Sequence, residues 1–393
     1  MQGDIYALAW YYQQLSIRRP TEVEILIGVD DAEKYLEEPI CKLLPFDVQI
    51  MERSSRKFWR AAKDFSPHFL FVDNHLPQKR VFKNLVYLWH GFGWKEQRAE
   101  IEFDAVHKEL NRLTGSVMFS NPHFIHQCYG AYERSHRIQF TKFHPDNCLN
   151  MGMLYADLIL NPPVTREQAA PFYPFESIEN RTVLLGFTWG FGEVFEHWET
   201  EETELMEKLL NYLMSHNANV IFRLHDRTRY SKKYLQMLEG LAGAYGNVFL
   251  KYKDAERDNL LDVLMSDVIV SNFSGIIPYA YYSGAASIHI HPYGMTSGNR
   301  PLYRYRQKRA VIDKRASYEW KMPPEENGGL LARTESELFT HLASALQNPS
   351  NCQDQSARFN RKYMETTDGR RCDALHRFLL RWHDSGKKPP VSG

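Results

Sequence analysis

The sequence predicts an α/β protein of two Rossmann-like domains in series that face a central cleft. Short apolar runs such as Val268–Val270 alternate with helical patterns along most of the chain, which is typical of parallel strands covered by helices on both faces. One proline-rich stretch without periodicity, Asn161–Asn180, interrupts this alternation and is typical of a linker between domains. In such folds ligands bind at the carboxyl ends of the strands, so the cleft is the expected active site.

The chain has 393 residues, enough for two domains, which we place at residues 1–165 and 175–393. In the N-terminal domain the patterns predict a helix over Arg56–Phe65, a helix that begins at Ser120–Pro122, and strands over Val23–Val29, Asp47–Met51, His68–Val72, Leu85–Trp89 and Val117–Phe119. In the C-terminal domain they predict strands over Thr182–Phe187, Asn219–His225, Asn247–Leu250, Val268–Val270 and Ala285–Ile290. They also predict helices over Glu201–His216, Tyr234–Tyr245, Leu260–Met265, Ser336–Gln347 and Ala374–Trp382.

Composition and charge argue against several classes of protein. The 48 basic and 48 acidic residues cancel, so the chain lacks the positive field of a generic nucleic-acid binder and no nucleic-acid partner is expected. Five scattered cysteines form no Cys-x-x-Cys pair, which favours a reducing compartment over a disulfide framework or zinc site. No apolar stretch is long enough to span a bilayer, and the order of charges at the N-terminus is atypical of a signal peptide. We expect a cytoplasmic protein, with a peripheral membrane role as the alternative.

Three polar clusters follow predicted strands, and the first begins at His90. This histidine leaves a buried strand and is followed by Gly91 and Gly93. A histidine in this position suits a general base, and glycine allows a ligand to approach the backbone closely. The alternative is a histidine that caps or packs the end of the strand.

The second cluster lies at the end of the predicted strand Asn219–His225. Alternation along the strand would place Arg223 and His225 on one face, where both could donate to one ligand. The alternative is a solvated strand end with Asp226 and Arg227 paired on the surface.

The third cluster is the segment Ser266–Gly275, in which a strand stops, turns and leads into an apolar pattern of helical type. The first N–H groups of a helix have no internal partners and bind phosphate readily. Ser274 and Gly275 lie where a hydroxyl donor and close backbone approach are needed. The alternative is an ordinary strand-to-helix turn capped by Ser or Asn.

Two histidine pairs have the spacing of metal ligands. His289 and His291 share one face of a predicted strand, and His123 and His126 lie three residues apart on a predicted helix. Neither pair has an evident third ligand, and no Asp-x-Asp pair follows a strand to hold a metal through nucleotide phosphates. We expect structural histidines, with no metal and no cofactor.

Together these motifs resemble the CDP-glycerol glycerophosphotransferase family, enzymes of GT-B fold that build teichoic-acid and related polyol-phosphate polymers. His90-Gly91-Phe92 with Lys95 resembles a His-Gly-Thr loop and its downstream Lys. Gly152–Asp157 resembles a Gly-x-Pro-Arg-x-Asp segment, and Gly186-Phe187-Thr188-Trp189 resembles an Ala-Pro-Thr-Trp strand end.

The C-terminal half continues the resemblance. Arg223 and His225 match an Arg-x-His-Pro segment except at its Pro. Ser266–Gly275 resembles the segment Ser-Asp-x-x-Ile-Ser/Thr-Asp-Tyr-Ser-Ser, with Asn272 and Gly275 among its substitutions. The motifs follow the order of the family over most of the chain.

The resemblance implies a GT-B transferase with an acceptor-side N-terminal domain and a C-terminal domain that binds a CDP-linked polyol such as CDP-glycerol. A hydroxyl of a lipid-linked or glycan acceptor would attack the phosphorus that bears the polyol, and CMP would leave. The product would extend a cell-surface polymer or capsule. Lipid-linked acceptors also imply peripheral contact with the inner face of the cell membrane.

The same resemblance assigns roles to individual residues. His90 would act as general base on the acceptor hydroxyl, while Arg223 and His225 would neutralise charge on the transferring phosphoryl group and on CMP. Further contacts to the donor would come from Gly91, Thr188, Ser271, Asn272, Ser274 and Gly275.

Two other functions stay open. A GT-B glycosyltransferase that uses a nucleotide sugar is compatible with the substitutions Asn272 and Gly275, because the same architecture serves both reactions. The other is a non-catalytic homologue that binds a nucleotide or glycan. The presence of both His90 and His225 argues against it.

Overall fold

The computed structural model describes residues 3–73, 76–77, 79–89, 91–97, 100–187, 198, 200–227, 230–291, 302–306, 309–313, 318–320, 322–365 and 368–391. The chain divides into two compact units. Unit 1 comprises Met1–Phe92, Glu100–Pro163 and Asn360–Gly393, and unit 2 comprises Gly93–Ala99 and Val164–Phe359.

The strands and helices alternate over much of the chain. The strands are β1 (Ile27–Val29), β2 (Ile50–Glu52), β3 (Phe69–Asp73), β4 (Asn84–Leu88), β5 (Lys95–Gln97), β6 (Phe124–Cys128), β7 (Cys148–Asn150), β8 (Thr182–Leu185), β9 (Asn219–Leu224), β10 (Val248–Tyr252), β11 (Val268–Ser271), β12 (Ala286–Ile290), β13 (Leu302–Arg306), β14 (Arg309–Asp313), β15 (Tyr318–Trp320) and β16 (Leu330–Ala332). The α-helices are α1 (Gly3–Arg18), α2 (Ala32–Glu37), α3 (Pro39–Leu43), α4 (Arg56–Phe65), α5 (Glu100–Thr114), α6 (Ala131–Thr141), α7 (Ala156–Leu160), α8 (Arg166–Ala169), α9 (Glu202–Ser215), α10 (Lys232–Gly243), α11 (Leu260–Met265), α12 (Ala280–Ser283), α13 (Glu335–Gln347), α14 (Gln353–Tyr363) and α15 (Arg371–Ser385).

The main sheet of unit 1 has the strand order β3-β4-β6-β7, and all of its neighbours are parallel. Strands β1 and β2 form a separate parallel pair. Every residue of β4 and of β6 is buried, as expected for central strands covered on both faces. The core around them includes Leu85, Leu110, Leu113, Phe124, Phe143 and Cys148.

The sheet of unit 2 is larger, with the order β10-β9-β8-β11-β12-β16 and parallel neighbours throughout. All residues of β8, β9, β11 and β12 are buried. Two antiparallel pairs, β13 with β14 and β5 with β15, complete the strands described in this unit. The predicted α/β class with parallel sheets is therefore confirmed.

The division into units differs from the predicted one at the C-terminus. Residues 360–393, which we placed in the second domain over 175–393, group with unit 1. Long-range hydrogen bonds explain this grouping, because the backbone N–H groups of Arg371 and Cys372 donate to the Asp157 carboxylate at 2.9 and 2.8 Å. A local sequence pattern carries no signal of such a pairing.

The helix predicted to begin at Ser120–Pro122 is wrong, as is the strand over Val117–Phe119. The strand β6 follows instead, and it places His126 opposite Tyr87 of β4 and Cys148 of β7. A short apolar run is compatible with either helix or strand, and here pairing on both sides decides for strand. His123 and His126 therefore do not share a helix face.

The predicted linker Asn161–Asn180 is partly structured within unit 2. It contains α8, which begins with a capping box formed by Thr165 and Gln168. Farther along, the Tyr173 hydroxyl donates to Asp262 of α11 at 2.6 Å. These bonds fix the stretch to the body of the unit.

Candidate functional site

The central strands of unit 2 bring two of the predicted polar clusters to one edge of the sheet. In the register of the sheet, Leu185 of β8 lies level with Phe222 of β9 on one side and Val270 of β11 on the other. The exits of β9 and β11 are thus two strand spacings apart, about 10 Å. The edge carries His225 after β9 and the segment Asn272–Gly275 after β11.

The turn after β11 is held by side chains that point inward. Ser271 is fully buried, and its hydroxyl donates to the carbonyl of Gly186 at 2.6 Å while accepting from the N–H of Ser274 at 3.1 Å. Phe273 adopts a positive φ of 61° and packs edge-on against Trp94, with ring centroids 5.1 Å apart. The Ser271 hydroxyl therefore shapes the turn, and this burial differs from the expected direct contact with a donor.

The accessible part of the turn is its tip. Ser274 and Gly275 are half-buried, whereas Asn272 is buried. Within the part of the chain that the structure describes, the N–H groups of Gly275 and Ile276 have no hydrogen-bond partner. Two adjacent backbone donors of this kind can bind an anion.

The helical segment expected after this turn is short. A 3-10 turn over Ile277–Tyr279 leads into the single turn of α12. So short a helix adds little dipole, and any affinity for an anion would come from the individual N–H groups.

His225 is paired with the residue that follows it. Its Nδ1 lies 3.1 Å from a carboxylate oxygen of Asp226 and 2.9 Å from the Asp226 backbone nitrogen, and its own backbone N–H donates to the Tyr230 hydroxyl at 2.9 Å. The imidazole is about three-quarters buried. With Nδ1 engaged, proton exchange with a ligand would use Nε2, which is the usual arrangement of an acid–base histidine.

Arg223 points into a buried ionic cluster. Its guanidinium donates to the Asp262 carboxylate and to the backbone carbonyls of Glu256 and Arg257, the last two at 2.7 and 3.2 Å. Only 6 % of its side chain is exposed. The structure therefore does not bring Arg223 and His225 to a common ligand as strand alternation predicted.

The buried cluster is electrically balanced. Lys251 donates to both Asp262 and Glu256 at 2.7 Å, so two cations face two carboxylates. Burial opposes ionisation of Asp262, but Lys251 and Arg223 outweigh it and hold the pKa of this carboxyl below its usual range. The cluster fixes the segment after β10 to the sheet beside the exit of β9.

The structure describes only part of the predicted cluster that begins at His90, after β4 in unit 1. His90 lies outside the described residues, and so does Thr188 of unit 2. Gly91 has a φ of 138°, a backbone conformation that L-residues rarely adopt and that supports the expected need for glycine here. Phe92 is buried and stacks on Tyr129 at 6.3 Å.

A buried carboxyl group in the same unit was missed by sequence reasoning. Asp4 accepts hydrogen bonds from the Gln127 side chain at 2.5 Å and from the Tyr155 backbone at 2.7 Å. Burial raises the pKa of Asp4 to about 7, because no cation offsets the loss of water. A single acid in the first turn of a helix looks like an ordinary exposed residue in the sequence, so its burial gives no local signal.

Three of the four histidines considered as metal ligands, His289, His123 and His126, contact neighbouring groups of the fold. His289 is buried, its Nε2 lies 2.7 Å from the Tyr281 hydroxyl, and burial lowers its pKa to about 3. His123 contacts Asn84 at 3.0 Å and His126 contacts a backbone carbonyl at 2.5 Å. Across the described ranges, no three His, Cys, Asp or Glu side chains are grouped as metal ligands would be.

The length and apolar character of the helices show whether any of them could cross a membrane. None of those in the described part of the chain combines the length and the apolar character that crossing a bilayer requires.

Comparison with known proteins identifies the fold. No family model matches the chain, and no curated protein matches it. Among solved structures, the wall teichoic acid polymerase TagF is similar over 98 % of this chain and 87 % of its own, with a TM-score of 0.67 and 11 % identity. A TagF variant soaked with CDPG is similar over 98 % and 86 %, with a TM-score of 0.68 and 12 % identity. A putative UDP-N-acetylglucosamine 2-epimerase from Listeria monocytogenes matches over 100 % and 98 %, with a TM-score of 0.57 and 12 % identity.

These similarities confirm the predicted GT-B fold. TagF is a CDP-glycerol glycerophosphotransferase, so the resemblance indicated by the motifs is also confirmed at the level of the fold. Identities of 11 to 12 % carry the comparison no further than the fold.

The raised pKa of Asp4 predicts a specific dependence of stability on pH. The folded state favours protonated Asp4, so this group contributes stability that is full below pH 4 and is lost as the pH rises to about 7. The free energy of unfolding should therefore fall by about 1.4 kcal/mol per pH unit across that interval, and the substitution Asp4→Asn should remove this dependence. Urea unfolding of both proteins between pH 4.5 and 7.5 measures the difference, and parallel curves would contradict the assignment.

Breaking the buried ionic cluster should be costly. Asp262→Asn leaves Arg223 and Lys251 buried without their shared partner, so the free energy of unfolding should fall by about 3–5 kcal/mol. Arg181→Met is the matched control, because it removes an exposed partner of Asp267 and should cost at most about 1 kcal/mol. Equal losses in the two variants, measured by denaturant unfolding, would show that the cluster is not a buried charge pair.

Proposed function

We propose that this protein transfers a polyol phosphate, glycerol phosphate in the first instance, from a CDP-linked donor to an acceptor hydroxyl during synthesis of a cell-surface polymer or capsule. The observation that carries the proposal is the edge of the unit 2 sheet, where the His225–Asp226 pair and the unpartnered N–H groups of Gly275 and Ile276 lie after the two strands that flank β8. The fold shared with TagF, of which one structure was soaked with CDPG, supports a nucleotide-linked donor.

The reaction is a substitution at phosphorus. The acceptor hydroxyl oxygen forms a bond to the phosphorus that bears the polyol, the bond from that phosphorus to the bridging oxygen breaks, and CMP leaves with the electron pair. The hydroxyl proton passes to His90 acting as general base. Such transfers depend mainly on positioning and on stabilisation of charge, both of which polar groups at fixed strand exits can supply.

Unit 2 is proposed to hold the donor. The N–H groups of Gly275 and Ile276 and the Ser274 hydroxyl bind its pyrophosphate. Asn272, and Thr188 in the segment that follows β8, provide further contacts to the donor. His225, held by Asp226, neutralises the charge that develops on CMP. Ser271 and Arg223 act indirectly, since their polar groups already hold the turn and the segment after β10.

Unit 1 is proposed to serve the acceptor. It carries His90 and Gly91 after β4. The positive φ of Gly91 favours glycine at this position, and glycine has no side chain to keep a ligand away from the backbone. A lipid-linked or glycan hydroxyl would be its substrate, with peripheral contact at the inner face of the cell membrane.

A nucleotide-sugar glycosyltransferase is the second candidate. It is favoured by the similarity to the epimerase from Listeria monocytogenes and to an S. aureus MnaA–UDP co-structure, the latter at a TM-score of 0.51 and 11 % identity. A non-catalytic homologue that binds a nucleotide or glycan is the third.

Ligand binding separates the first two candidates. CDP-glycerol and CMP should raise the melting temperature, because a ligand at 100 times its Kd stabilises the native state by about 2.7 kcal/mol. UDP-sugars and GDP-sugars should have no effect at the same concentrations. Stabilisation by UDP-sugars alone, in differential scanning fluorimetry, would replace the first candidate by the second.

Histidine variants test whether the protein is an enzyme. His90→Ala and His225→Ala should each lower kcat about 10² to 10⁴-fold while the melting temperature changes little, because each removes a group that acts on charge or protons in the transition state. His216→Ala, at the exposed end of α9, is the matched control and should leave kcat unchanged. Wild-type turnover in either of the first two variants would remove that residue from the mechanism.

A further inference from the structure

Gln127 holds the backbone at the exit of β4. This glutamine lies on β6, is fully buried, and accepts a hydrogen bond at its Oε1 from the N–H of Trp89 at 2.9 Å. Trp89 immediately follows β4 and immediately precedes His90. The amide therefore controls the last backbone position before the proposed general base.

The orientation of this amide is set by Asp4. The Nε2 of Gln127 donates to the Asp4 carboxylate at 2.5 Å and to the carbonyl of Gly152 at 2.8 Å. Both partners accept hydrogen bonds in this arrangement, so the nitrogen must face them and the oxygen must face Trp89. If the amide were reversed, it would place its oxygen against two acceptors and its nitrogen against an N–H donor.

Asp4 is itself fixed in place from another direction. Its second carboxylate oxygen accepts from the backbone N–H of Tyr155 at 2.7 Å, and the residue is only 5 % exposed. One continuous chain of hydrogen bonds thus runs from the start of α7 through α1 and β6 to the exit of β4. The links from Asp4 to Tyr155 and to Gln127 are buried, and the link from Gln127 to Trp89 is partly buried. Hydrogen bonds shielded from water in this way are strong and costly to break.

The segment after β4 has two further supports. The guanidinium of Arg137 lies 4.2 Å from the centre of the Trp89 ring, and Phe92 stacks on Tyr129. Arg137 pairs with Glu133 at 3.4 Å, and both are buried. Residues 89 and 92 are therefore fixed on either side of the Gly91 conformation.

We propose that Asp4 and Gln127 are positioning residues for the segment 89–92, and that they set the backbone from which His90 acts on the acceptor hydroxyl. The part concerning His90 rests on the proposed function. An error of about 1 Å in placing a catalytic group can cost about 100-fold in rate, so a device that fixes the preceding residue has a direct effect on turnover.

Exchanging the amide and the carboxylate between residues 4 and 127 tests whether this pair positions the segment after β4. Gln127→Glu places a second carboxylate against Asp4 and the Gly152 carbonyl. Asp4→Asn leaves one acceptor oxygen in place of two, so residue 4 can accept from Tyr155 or from Gln127 but not from both. Each single variant should accelerate hydrogen exchange of the Trp89 amide about tenfold. The double variant Asp4→Asn/Gln127→Glu restores a donor facing an acceptor, and should recover most of the protection.

Turnover provides the second measurement. Each single variant should lower kcat about 10 to 100-fold with the KM for the donor changed less than threefold, and the double variant should regain part of kcat. Loss of kcat without loss of donor binding is the signature of mispositioning at the acceptor side.

Asn147→Asp is the matched control. Asn147 is also a buried amide of unit 1, and it binds the Asn121 N–H and the carbonyls of Val117 and Phe119 at 2.8 to 2.9 Å. This variant should change exchange near residues 117–121 and leave the Trp89 amide protected. General destabilisation would instead affect both segments in every variant.

The outcomes separate the two proposals. Unchanged exchange of the Trp89 amide in both single variants, or equal acceleration in the control, would overturn the positioning role. Faster exchange in the single variants and recovery in the double variant would establish it even if the wild-type protein turned over no donor. In that case only the transferase function would fail.

Discussion

Burial of the central strands on both faces is the constraint that shapes both units. A polar side chain on such a strand cannot reach water, so it must find a partner inside the protein or lie beyond the end of the strand. Arg223, Gln127 and His289 follow the first course, with Asp262, Asp4 and Tyr281 as their partners. His225 and Ser274 follow the second, and they lie at the edge where parallel strands end together. The same constraint therefore separates residues that hold the scaffold from residues that can meet a ligand.

Much of the fold could be predicted because its signals are local. The helix over Arg56–Phe65 and the helix over Leu260–Met265 have the predicted bounds, and the strand Asn219–His225 is only one residue shorter than expected. The failure at Ser120–Pro122 has a physical cause, since a short apolar run does not distinguish helix from strand until its neighbours are known. The grouping of residues 360–393 with unit 1 depends in the same way on contacts distant in sequence, such as that between Asp157 and Cys372.

For the candidate site, sequence reasoning predicted which segments reach the sheet edge but not which way each side chain points. Strand alternation placed Arg223 beside His225, yet the carboxylate of Asp262, 39 residues away, draws the guanidinium inward. Asp4 was not predicted at all, because its partner Gln127 is 123 residues distant. Motifs of this kind report residue types at strand exits, whereas the partner that decides a role is supplied by the tertiary fold.

The two buried clusters reach electrostatic balance in different ways, and the difference bears on what each can do. In unit 2 two cations face Asp262 and Glu256, and Lys251 and Arg223 hold the pKa of the Asp262 carboxyl below its usual range. In unit 1 Asp4 has hydrogen-bond donors but no cation, and burial raises its pKa to about 7. A neutral amide such as asparagine at this position would avoid the desolvation cost, but it would present a donor to Gln127 or lose the bond to Tyr155. The buried carboxylate of Asp4 thus lowers the stability of the protein, but it fixes the Gln127 amide in one orientation. Such a loss of stability is expected where a backbone position must be fixed for chemistry.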